Sequence, residues 1–537
     1  MGLLRRSVQF PALTLVSAFL FALGSIAAAA AQVAVTTYHY DNYRTGWNSK
    51  ETQLTPAKVA SSFGWLATVS LDDQVDAQPL LVPNVMITAG NFKGKHSVVY
   101  IATENNTVYA IAANNGNVFL SRNLGAPVYY PLGCHNNGPN VGITATPVID
   151  TASSTLYVMT YTQEATGPAY RIHALDLGNL TDKVAPQVVT ASHTLTDGTT
   201  FPFNATYQRQ RPGLLLANGN VYAGFGSFCD MVPSQSRGWV LGWNATSLAP
   251  LAANQLLDTQ ASSPRTFFLS SIWMSGYGLT ADTAGNVLFV TGNSDISGTT
   301  YDGVSNLQES VVKVSPDLTT VLDMFTPANQ SHLDKTDADF GSGGVMVLPD
   351  QAGATPHLAV AAGKAGLMFL MNEDQLGGYS TTKNKVLGTY SIDPCWCGQS
   401  YFVGPTDSWP RVVSSGGQVV KVWKLHTSPH PGLTTVSSSP AITSGQDAGF
   451  FTTVSSNGTA HPIIWALSRP VSRQASSISL YAFDPQTGGS SMAQLFQATA
   501  GAWQNYGGNA NLVPVVANGR VYVASHHQLQ IFGIKDE

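Results

Sequence analysis

The chain has 537 residues, of which only 11% are charged, and its formal net charge is −5 at pH 7. Soluble domains usually carry about 25% charged residues, so this surface must rely on hydrogen-bonding rather than on charged side chains. The low charge and the lack of any lysine and arginine run exclude nucleic acid as a partner.

The first 31 residues differ from the rest in composition. Arg5 and Arg6 precede an apolar run that ends in the alanines 27–31, and Gln32 follows. A basic start, a short apolar core and small residues at its end are typical of a secretory signal peptide. We therefore predict a signal peptide over residues 1–31, a mature chain that is secreted or periplasmic, and no membrane span.

The chain contains four cysteines, Cys134, Cys229, Cys395 and Cys397. In an exported protein they are expected to pair, and four cysteines allow three connectivities. Closure of Cys395 on Cys397 would leave Cys134 with Cys229, but the spacing alone leaves the choice open. No motif among them is typical of a metal site or of an attached haem.

Short apolar runs that end in Asn, Asp, Gly or Pro recur along the whole chain. The stretch 339–378 contains a complete unit, in which Val345–Leu348, Leu358–Ala361 and Leu367–Met371 are separated by turn residues. This pattern predicts three strands and two turns. The last run of the unit has eight copies in the sequence: Val108–Gly116, Ile172–Gly178, Trp239–Asn244, Val311–Asp317, Met368–Asp374, Val420–Leu425, Leu480–Gly488 and Leu529–Ile534.

Companion strands precede most copies, and a fourth strand usually follows. Four antiparallel strands repeated at a period above about 40 residues are typical of a β-propeller blade. The last copy ends at Ile534 without a fourth strand, whereas Phe63–Leu71 has no sheet of its own. We predict an all-β, eight-bladed propeller over residues 32–537, a single domain whose ring is closed by the N-terminal strand.

The residue pattern of the repeat resembles that of a known family. Leu480–Gly488 reads LYAFDPQTG, close to the motif Y-A-x-D-x-x-T-G, and Val108–Gly116 is a weaker copy. The chain resembles the quinoprotein alcohol dehydrogenase-like family over essentially all of its mature length. The resemblance implies an eight-bladed propeller, and for catalytic members it implies pyrroloquinoline quinone held over a calcium ion at the propeller centre.

Three segments resemble the family's catalytic site. Phe289–Asn293 resembles the strand that ends in a calcium-binding Asn, which implies Asn293 as a metal ligand. The segment from Asp339 resembles the one that supplies the catalytic base, and Asp339 would also bind the metal. Lys364 stands where a Lys or Arg hydrogen-bonds the quinone. Hard cations prefer oxygen ligands, and a carboxylate can accept the proton of an alcohol.

The loop that carries adjacent cysteines in catalytic members departs from their pattern. It reads Cys134-His135 here, so that His135 stands at the position of the second cysteine. The resemblance implies that both residues lie near the cofactor. Val141 stands where an Arg would bind the cofactor.

The remaining site positions are matched less directly. The resemblance implies Asp230 in place of a metal-binding Glu. The aromatic residue that stacks on the cofactor would fall near Ser275, and the neighbouring Trp273 is our candidate for this role. Trp396 and Trp423 are interpreted as residues that pack between blades.

Two functional hypotheses follow. In the first, the protein oxidises an alcohol or a sugar with pyrroloquinoline quinone and calcium, and passes the electrons to an acceptor that the sequence does not identify. In the second, it is a non-catalytic propeller that binds a glycan or a protein partner. Asn293, Asp339 and Lys364 would then serve as turn residues between strands.

Overall fold

The computed structural model describes residues 1–4, 7–8, 32–136, 138–262, 266–294, 301–442, 449–469, 476–486, 489–504 and 511–535. Residue contacts divide the chain into two units, Met1–Ala31 and Gln32–Glu537. The predicted signal peptide lies almost wholly outside the described residues, as do Thr487 and Gly488 of the repeat motif. In the part of the chain that is described, no helix has the length and apolar character needed to cross a lipid bilayer.

Among the described residues of the second unit, eight mostly antiparallel sheets follow one another along the chain, and each forms one propeller blade. The predicted eight-bladed all-β fold is therefore confirmed. We number the blades in chain order. The strands of blade 1 are Leu80–Ile87, Gly94–Ala102, Thr107–Ala112 and Val118–Asn123, and those of blade 2 are Val148–Asp150, Thr155–Glu164, Gly167–Asp176 and Gln187–Val188. The strands of blade 3 are Arg209–Gln210, Leu215–Ala217, Asn220–Gly226, Trp239–Asn244 and Gln255–Leu256, and those of blade 4 are Thr280–Ala281, Val287–Val290, Val311–Val314 and Val321–Thr326.

The second half of the ring repeats this arrangement. The strands of blade 5 are Val345–Val347, Leu358–Ala362, Leu367–Asn372 and Gly388–Ser391, and those of blade 6 are Ser400–Val403, Pro410–Ser414, Lys421–His426 and Gly432–Ser438. The strands of blade 7 are Thr452–Asn457, Ala460–Leu467, Ser476–Asp484 and Ala493–Trp503, and those of blade 8 are Val515–Ala517, Arg520–Ser525, Gln528–Ile534 and Phe63–Ser70. Seven of the eight predicted repeat copies overlap the third strand of a blade. The copy Trp239–Asn244 is the fourth strand of blade 3, because Arg209–Gln210 and Leu215–Ala217 both pair with Asn220–Gly226 there.

Blade 8 combines the two ends of the second unit. Phe63–Ser70 pairs antiparallel with Gln528–Ile534, with a register shift between Trp65 and Ala67. The N-terminal strand thus supplies the strand that is missing after Ile534, as predicted. This pairing removes an open sheet edge that would otherwise promote aggregation.

Several short elements lie outside the four-strand repeat and were not predicted. Trp47–Asn48 adds to blade 7 and Gly378–Tyr379 adds to blade 4, both in parallel pairing. Two small hairpins pair Val128–Tyr129 with Asn140–Val141 and Ser192–Thr194 with Thr200–Pro202. The helices are Pro56–Ser62 and Gln330–Thr336, with 3₁₀ turns at Pro131–Gly133, Met274–Gly276 and Phe340–Ser342.

The hydrophobic core lies between neighbouring blades. Apolar side chains of each blade pack against those of the next around the whole ring. At the junction of blades 8 and 1, for example, Val69 and Ile531 pack in one cluster with Val99 and Ile111. Each sheet therefore buries both faces, which explains the nearly continuous apolar runs in its central strands.

The segment before the closing strand carries a buried histidine. The ring of His39 stacks on Tyr38 at 4.6 Å and meets the edge of Tyr277 at 5.1 Å. Its Nδ1 lies 3.3 Å from the carbonyl oxygen of Arg44. Burial lowers the pKa of His39 to about 3, so the folded protein holds this ring neutral.

We expect His39 to make the fold sensitive to acid. The unfolded chain binds a proton at His39 below its ordinary pKa of about 6.5, whereas the folded chain does so only near pH 3. The free energy of unfolding should therefore fall by roughly 1.4 kcal/mol for each pH unit between these values. Urea unfolding of His39→Gln should show a weaker decline between pH 7 and pH 4.5. The exposed His430, changed to Gln, is the control that should keep the wild-type decline.

Candidate functional site

A polar cavity of about 350 Å³ is lined by segments that precede blades 2, 4, 5 and 6 and by segments within blades 3 and 5. Its volume lies at the lower end of the range for small-molecule sites. The residues that line it carry three cationic, three acidic and two indole side chains. They are Asn136, Arg209, Arg211, Ser227, Cys229, Asp230, Trp273, Asp337, Asp339, Lys364 and Trp396.

Asp339 and Lys364 form the centre of the site. The ammonium group of Lys364 lies 3.0 Å from Oδ2 of Asp339 and 3.0 Å from Oδ1 of Asp337. The side chain of Asp339 is 5% exposed, that of Lys364 is 12% exposed and that of Asp337 is 69% exposed. Asp339 and Lys364 thus form a largely buried ion pair. Asp337, the second partner of Lys364, faces solvent.

The protonation of this pair follows from burial and mutual charge. Burial raises the pKa of Asp339 above its ordinary value, although the charge of Lys364 opposes the shift. Burial alone would lower the pKa of Lys364, but Asp339 and Asp337 outweigh it and raise that pKa. The site therefore holds a permanent cation beside a carboxylate whose proton affinity is increased, which suits a general base.

Two glycines allow the backbones that carry this pair to approach. A Cβ atom at Gly363 would lie 2.6 Å from the carbonyl oxygen of Asp339. A Cβ atom at Gly341 would lie 2.4 Å from the backbone nitrogen of Gly292. Any larger residue at either position would push the segments apart, so these glycines set the spacing of the site.

Asn293 and Asp230 lie close to the same carboxylate. The backbone N–H of Asn293 donates to Oδ1 of Asp339 at 3.2 Å, and its side-chain amide donates to Asp337 at 3.4 Å. Asp230 lines the cavity and accepts a hydrogen bond from Ser227. Burial, and then the charges of Asp339 and Asp337, raise the pKa of Asp230 to about 6. The structure thus brings Asn293, Asp230 and Asp339 to one region.

The donor chemistry of this region bears on a metal ion. Carboxylate and amide oxygens are ligands of hard cations, and the mutual repulsion of Asp230 and Asp339 would be relieved by a cation. Within the described ranges, however, no three His, Cys, Asp or Glu side chains are close enough to hold a metal. Any metal site here must therefore use the amide oxygen of Asn293 as well.

Trp273 and Trp396 place their indole rings at the cavity. The ammonium group of Lys364 lies 5.4 Å from the ring centroid of Trp273 and 5.6 Å from that of Trp396. Trp396 thus lines the site, and the interpretation of it as a packing residue was wrong. Trp423, in contrast, is buried against Tyr390, as predicted. A flat ligand would find an aromatic surface on two walls.

The loop after blade 1 differs from its expected layout. Cys134 bonds to Cys229, which lines the cavity, and Cys395 bonds to Cys397 on either side of Trp396. His135 is exposed and packs on Tyr130, whereas its neighbour Asn136 lines the cavity. Both disulfides are typical of proteins that fold in an oxidising compartment.

Sequence reasoning missed two arginines. Arg209 and Arg211 belong to the segment that enters blade 3, and both line the cavity although they are almost fully buried. The guanidinium group of Arg211 lies 5.5 Å from the ring of Trp273. Val141, at the position where the resemblance expects an arginine, is buried and apolar. The only sequence signal for this pair was the Arg-Gln-Arg spacing, and arginines in such a pattern are usually exposed to solvent.

Glu309 is a further acid that the sequence analysis did not identify. It is fully buried, and its Oε2 accepts the backbone N–H of Phe340 at 2.5 Å. Burial, and then the charge of Asp339, raise the pKa of Glu309 well above its ordinary value. Glu309 therefore holds its proton more tightly than an ordinary carboxyl does, and its hydrogen bond supports the backbone directly after Asp339.

This chain has neighbours among proteins of known structure. It is similar to the quinohemoprotein alcohol dehydrogenase of Comamonas testosteroni, with 13% identity and a TM-score of 0.60 over 95% of this chain and 82% of that one. The chain has the fold of quinoprotein alcohol dehydrogenases. A quinohemoprotein alcohol dehydrogenase of Pseudomonas putida HK5 is similar over 94% of this chain and 81% of its own, with 12% identity and a TM-score of 0.58.

A europium-containing methanol dehydrogenase has the same fold, with 10% identity and a TM-score of 0.56 over 93% of this chain and 98% of its own. No protein-family model and no curated protein sequence matches the chain. The quinoprotein dehydrogenase fold predicted from the repeats is therefore confirmed by structure alone. At these identities the likeness establishes the fold, and the activity has to be argued from the cavity.

Proposed function

We propose that this protein is an exported dehydrogenase that oxidises an alcohol or a sugar with bound pyrroloquinoline quinone and calcium. The observation that supports it most strongly is the pairing of a buried carboxylate, Asp339, with a buried ammonium group, Lys364, inside a cavity lined by indole rings. The fold shared with the two quinohemoprotein alcohol dehydrogenases adds to it.

The residues present fit the quinone. It is a flat, polyanionic molecule, and the cavity offers two indole walls together with Lys364, Arg209 and Arg211. Within the described part of the chain, Nε and Nη2 of Arg209 are buried without a hydrogen-bond partner, so an anionic group would satisfy them. Calcium would be held by oxygen atoms of Asp230, Asn293 and Asp339, in keeping with its preference for oxygen ligands.

Each residue of the site has a distinct task in the proposed reaction. Asp339 accepts the hydroxyl proton of the substrate, for which its raised pKa is suited. Lys364 holds Asp339 in place and stabilises negative charge that develops beside it. The bound quinone would supply the acceptor for the two electrons and the hydrogen that leave the substrate carbon.

The proposal is tested by dye reduction with the purified mature chain, pyrroloquinoline quinone, calcium, and a panel of primary alcohols and aldoses. We expect turnover with at least one substrate and its loss when calcium is chelated. Lys364→Gln should reduce turnover by roughly 100-fold, since the loss of a preorganised charge typically costs this much. Lys421, whose ammonium group pairs with Asp393 at 3.3 Å away from the cavity, provides the control Lys421→Gln. Absence of turnover with every substrate would contradict the proposal.

A second candidate is a non-catalytic propeller whose cavity binds a glycan or a protein segment. One observation favours it, namely that no three acidic, His or Cys side chains in the described residues converge closely enough for a metal. Binding of neutral oligosaccharides without quinone, together with no dye reduction, would establish this alternative.

A further inference from the structure

Arg209 is a buried cation with unused donors at the cavity wall. It belongs to the strand Arg209–Gln210, which pairs with the strand that ends at Gly226 and fixes the backbone. Only 3% of its surface is exposed, yet it lines the cavity. Its Nε and Nη2 atoms have no hydrogen-bond partner within the described residues. Burying guanidinium N–H groups without acceptors is costly, so this arrangement favours a ligand that supplies acceptors to Nε and Nη2.

Two buried acids, Asp76 and Glu104, lie near Arg209. Asp76 and Glu104 are buried and hydrogen-bonded to each other. Burial, and then the charge of Asp76, raise the pKa of Glu104 well above its ordinary value, so Glu104 holds its proton more tightly than an ordinary carboxyl does. Arg209 and Arg211 line the cavity, whereas neither Asp76 nor Glu104 is among the described residues that line it.

The chemistry of the donors selects the anion. Nε and Nη2 of a guanidinium group form one edge of a planar fork, which matches the two oxygens of a carboxylate. The indole of Trp273, which lies against Arg211, adds an apolar face on which the carbon skeleton of such a ligand can pack. The carboxyl groups of Asp230 and Asp339, which line the same cavity, oppose a ligand with charge on all sides, such as inorganic phosphate.

We propose that Arg209, with Arg211 beside it, forms a carboxylate-binding subsite of the cavity. The carboxylate comes from one of two sources, the quinone cofactor or a substrate that is itself a hydroxy acid. The first source depends on the proposed function, whereas the subsite itself does not.

The test measures equilibrium binding by tryptophan fluorescence and calorimetry. The ligands are pyrroloquinoline quinone with calcium, its uncharged trimethyl ester, and D-gluconate without quinone. Loss of a charge-assisted fork should weaken binding of the carboxylate ligand roughly 10- to 100-fold in Arg209→Gln. Arg209→Lys keeps the positive charge but not the planar fork, so its affinity for the carboxylate ligand should lie between those of the wild type and Arg209→Gln. Arg171, which pairs with Glu164 on blade 2 at 2.6 Å, gives the control Arg171→Gln, which should bind as wild type does.

The comparison of the acid with its ester uses the wild-type protein. It therefore shows whether the carboxylates of the quinone contribute to binding even if Arg209→Gln fails to fold. If the quinone is the source, the ester binds weakly and gluconate does not bind alone. If the substrate is the source, gluconate binds to the wild-type protein without quinone, and this binding is lost in Arg209→Gln. That result does not depend on whether the quinone binds. The subsite proposal would be wrong if the acid and the ester bind equally well and gluconate either does not bind or binds equally to Arg209→Gln. That result would not contradict the proposed use of the quinone. Absence of binding by all three ligands would overturn both.

Discussion

Replacement of Asp339 by asparagine is expected to lower substrate-dependent dye reduction by at least about 100-fold, since a positioned general base typically contributes 10²- to 10⁴-fold. Asparagine keeps the size of the side chain and an oxygen that can accept the N–H of Asn293, but it cannot take a proton. Removing a carboxylate that is buried and has a raised pKa should not destabilise the fold. We therefore expect an intact, quinone-binding protein that turns over very slowly.

Asp337 provides a matched control two residues away. Its carboxylate contacts the same ammonium group of Lys364 at the same distance, 3.0 Å, but its side chain is 69% exposed. Asp337→Asn should lose less than about 10-fold in rate, because exposed ion pairs contribute little. Comparable losses in the two variants would mean that the ion-pair network, rather than proton transfer, sets the rate. A rate in Asp339→Asn within about threefold of wild type would exclude Asp339 as the base.

Replacement of Arg44 by methionine is expected to lower the free energy of unfolding by about 3–5 kcal/mol, which is typical of removing one partner of a buried charged network. Arg44 is fully buried, and its guanidinium group joins parts of the chain that are distant in sequence. Nε and Nη2 donate to the carbonyl oxygen of Leu279 at 2.8 and 2.5 Å, and Nη1 donates to Thr37 at 2.6 Å. Methionine would leave these acceptors buried without donors.

Urea unfolding followed by tryptophan fluorescence measures this effect. Arg44→Lys should recover only part of the loss, because an ammonium group cannot reach all the acceptors of the planar fork. Arg171→Met serves as the control, since Arg171 and its partner Glu164 are each more than a quarter exposed and such pairs contribute about 1 kcal/mol or less. If Arg44→Met unfolds at the wild-type urea concentration, this hydrogen-bond network does not stabilise the fold.

The fold could be predicted because its determinants are local and repeated. Each blade marks its strands with apolar runs and its turns with Asn, Asp, Gly or Pro, so the copy at Leu367–Asn372 is recognisable without its neighbours. The closing strand Phe63–Ser70 was predicted from a deficit in the last blade. The short parallel strands Trp47–Asn48 and Gly378–Tyr379 were not predicted, because two residues are too few to show an alternating apolar pattern.

The site was predictable only where a residue follows a recognisable strand or turn. Asn293, Asp339 and Lys364 do so, and the structure brings them together. Arg209 gave no such signal, because its burial depends on blades that are distant in the sequence. Trp396 was misinterpreted for a related reason, since nothing local distinguishes an indole in a cavity from one between blades.

Equilibrium binding of pyrroloquinoline quinone to the purified mature chain, with calcium or with a chelator, tests the central claim most directly. Trp273 and Trp396 line the cavity, so their fluorescence should report occupancy. We predict saturable quenching at one quinone per chain, which weakens when calcium is removed and is lost when Asp339 and Lys364 are both replaced by alanine. Absence of saturable binding at every calcium concentration would contradict the proposed function and restrict the likeness to quinoprotein dehydrogenases to the fold.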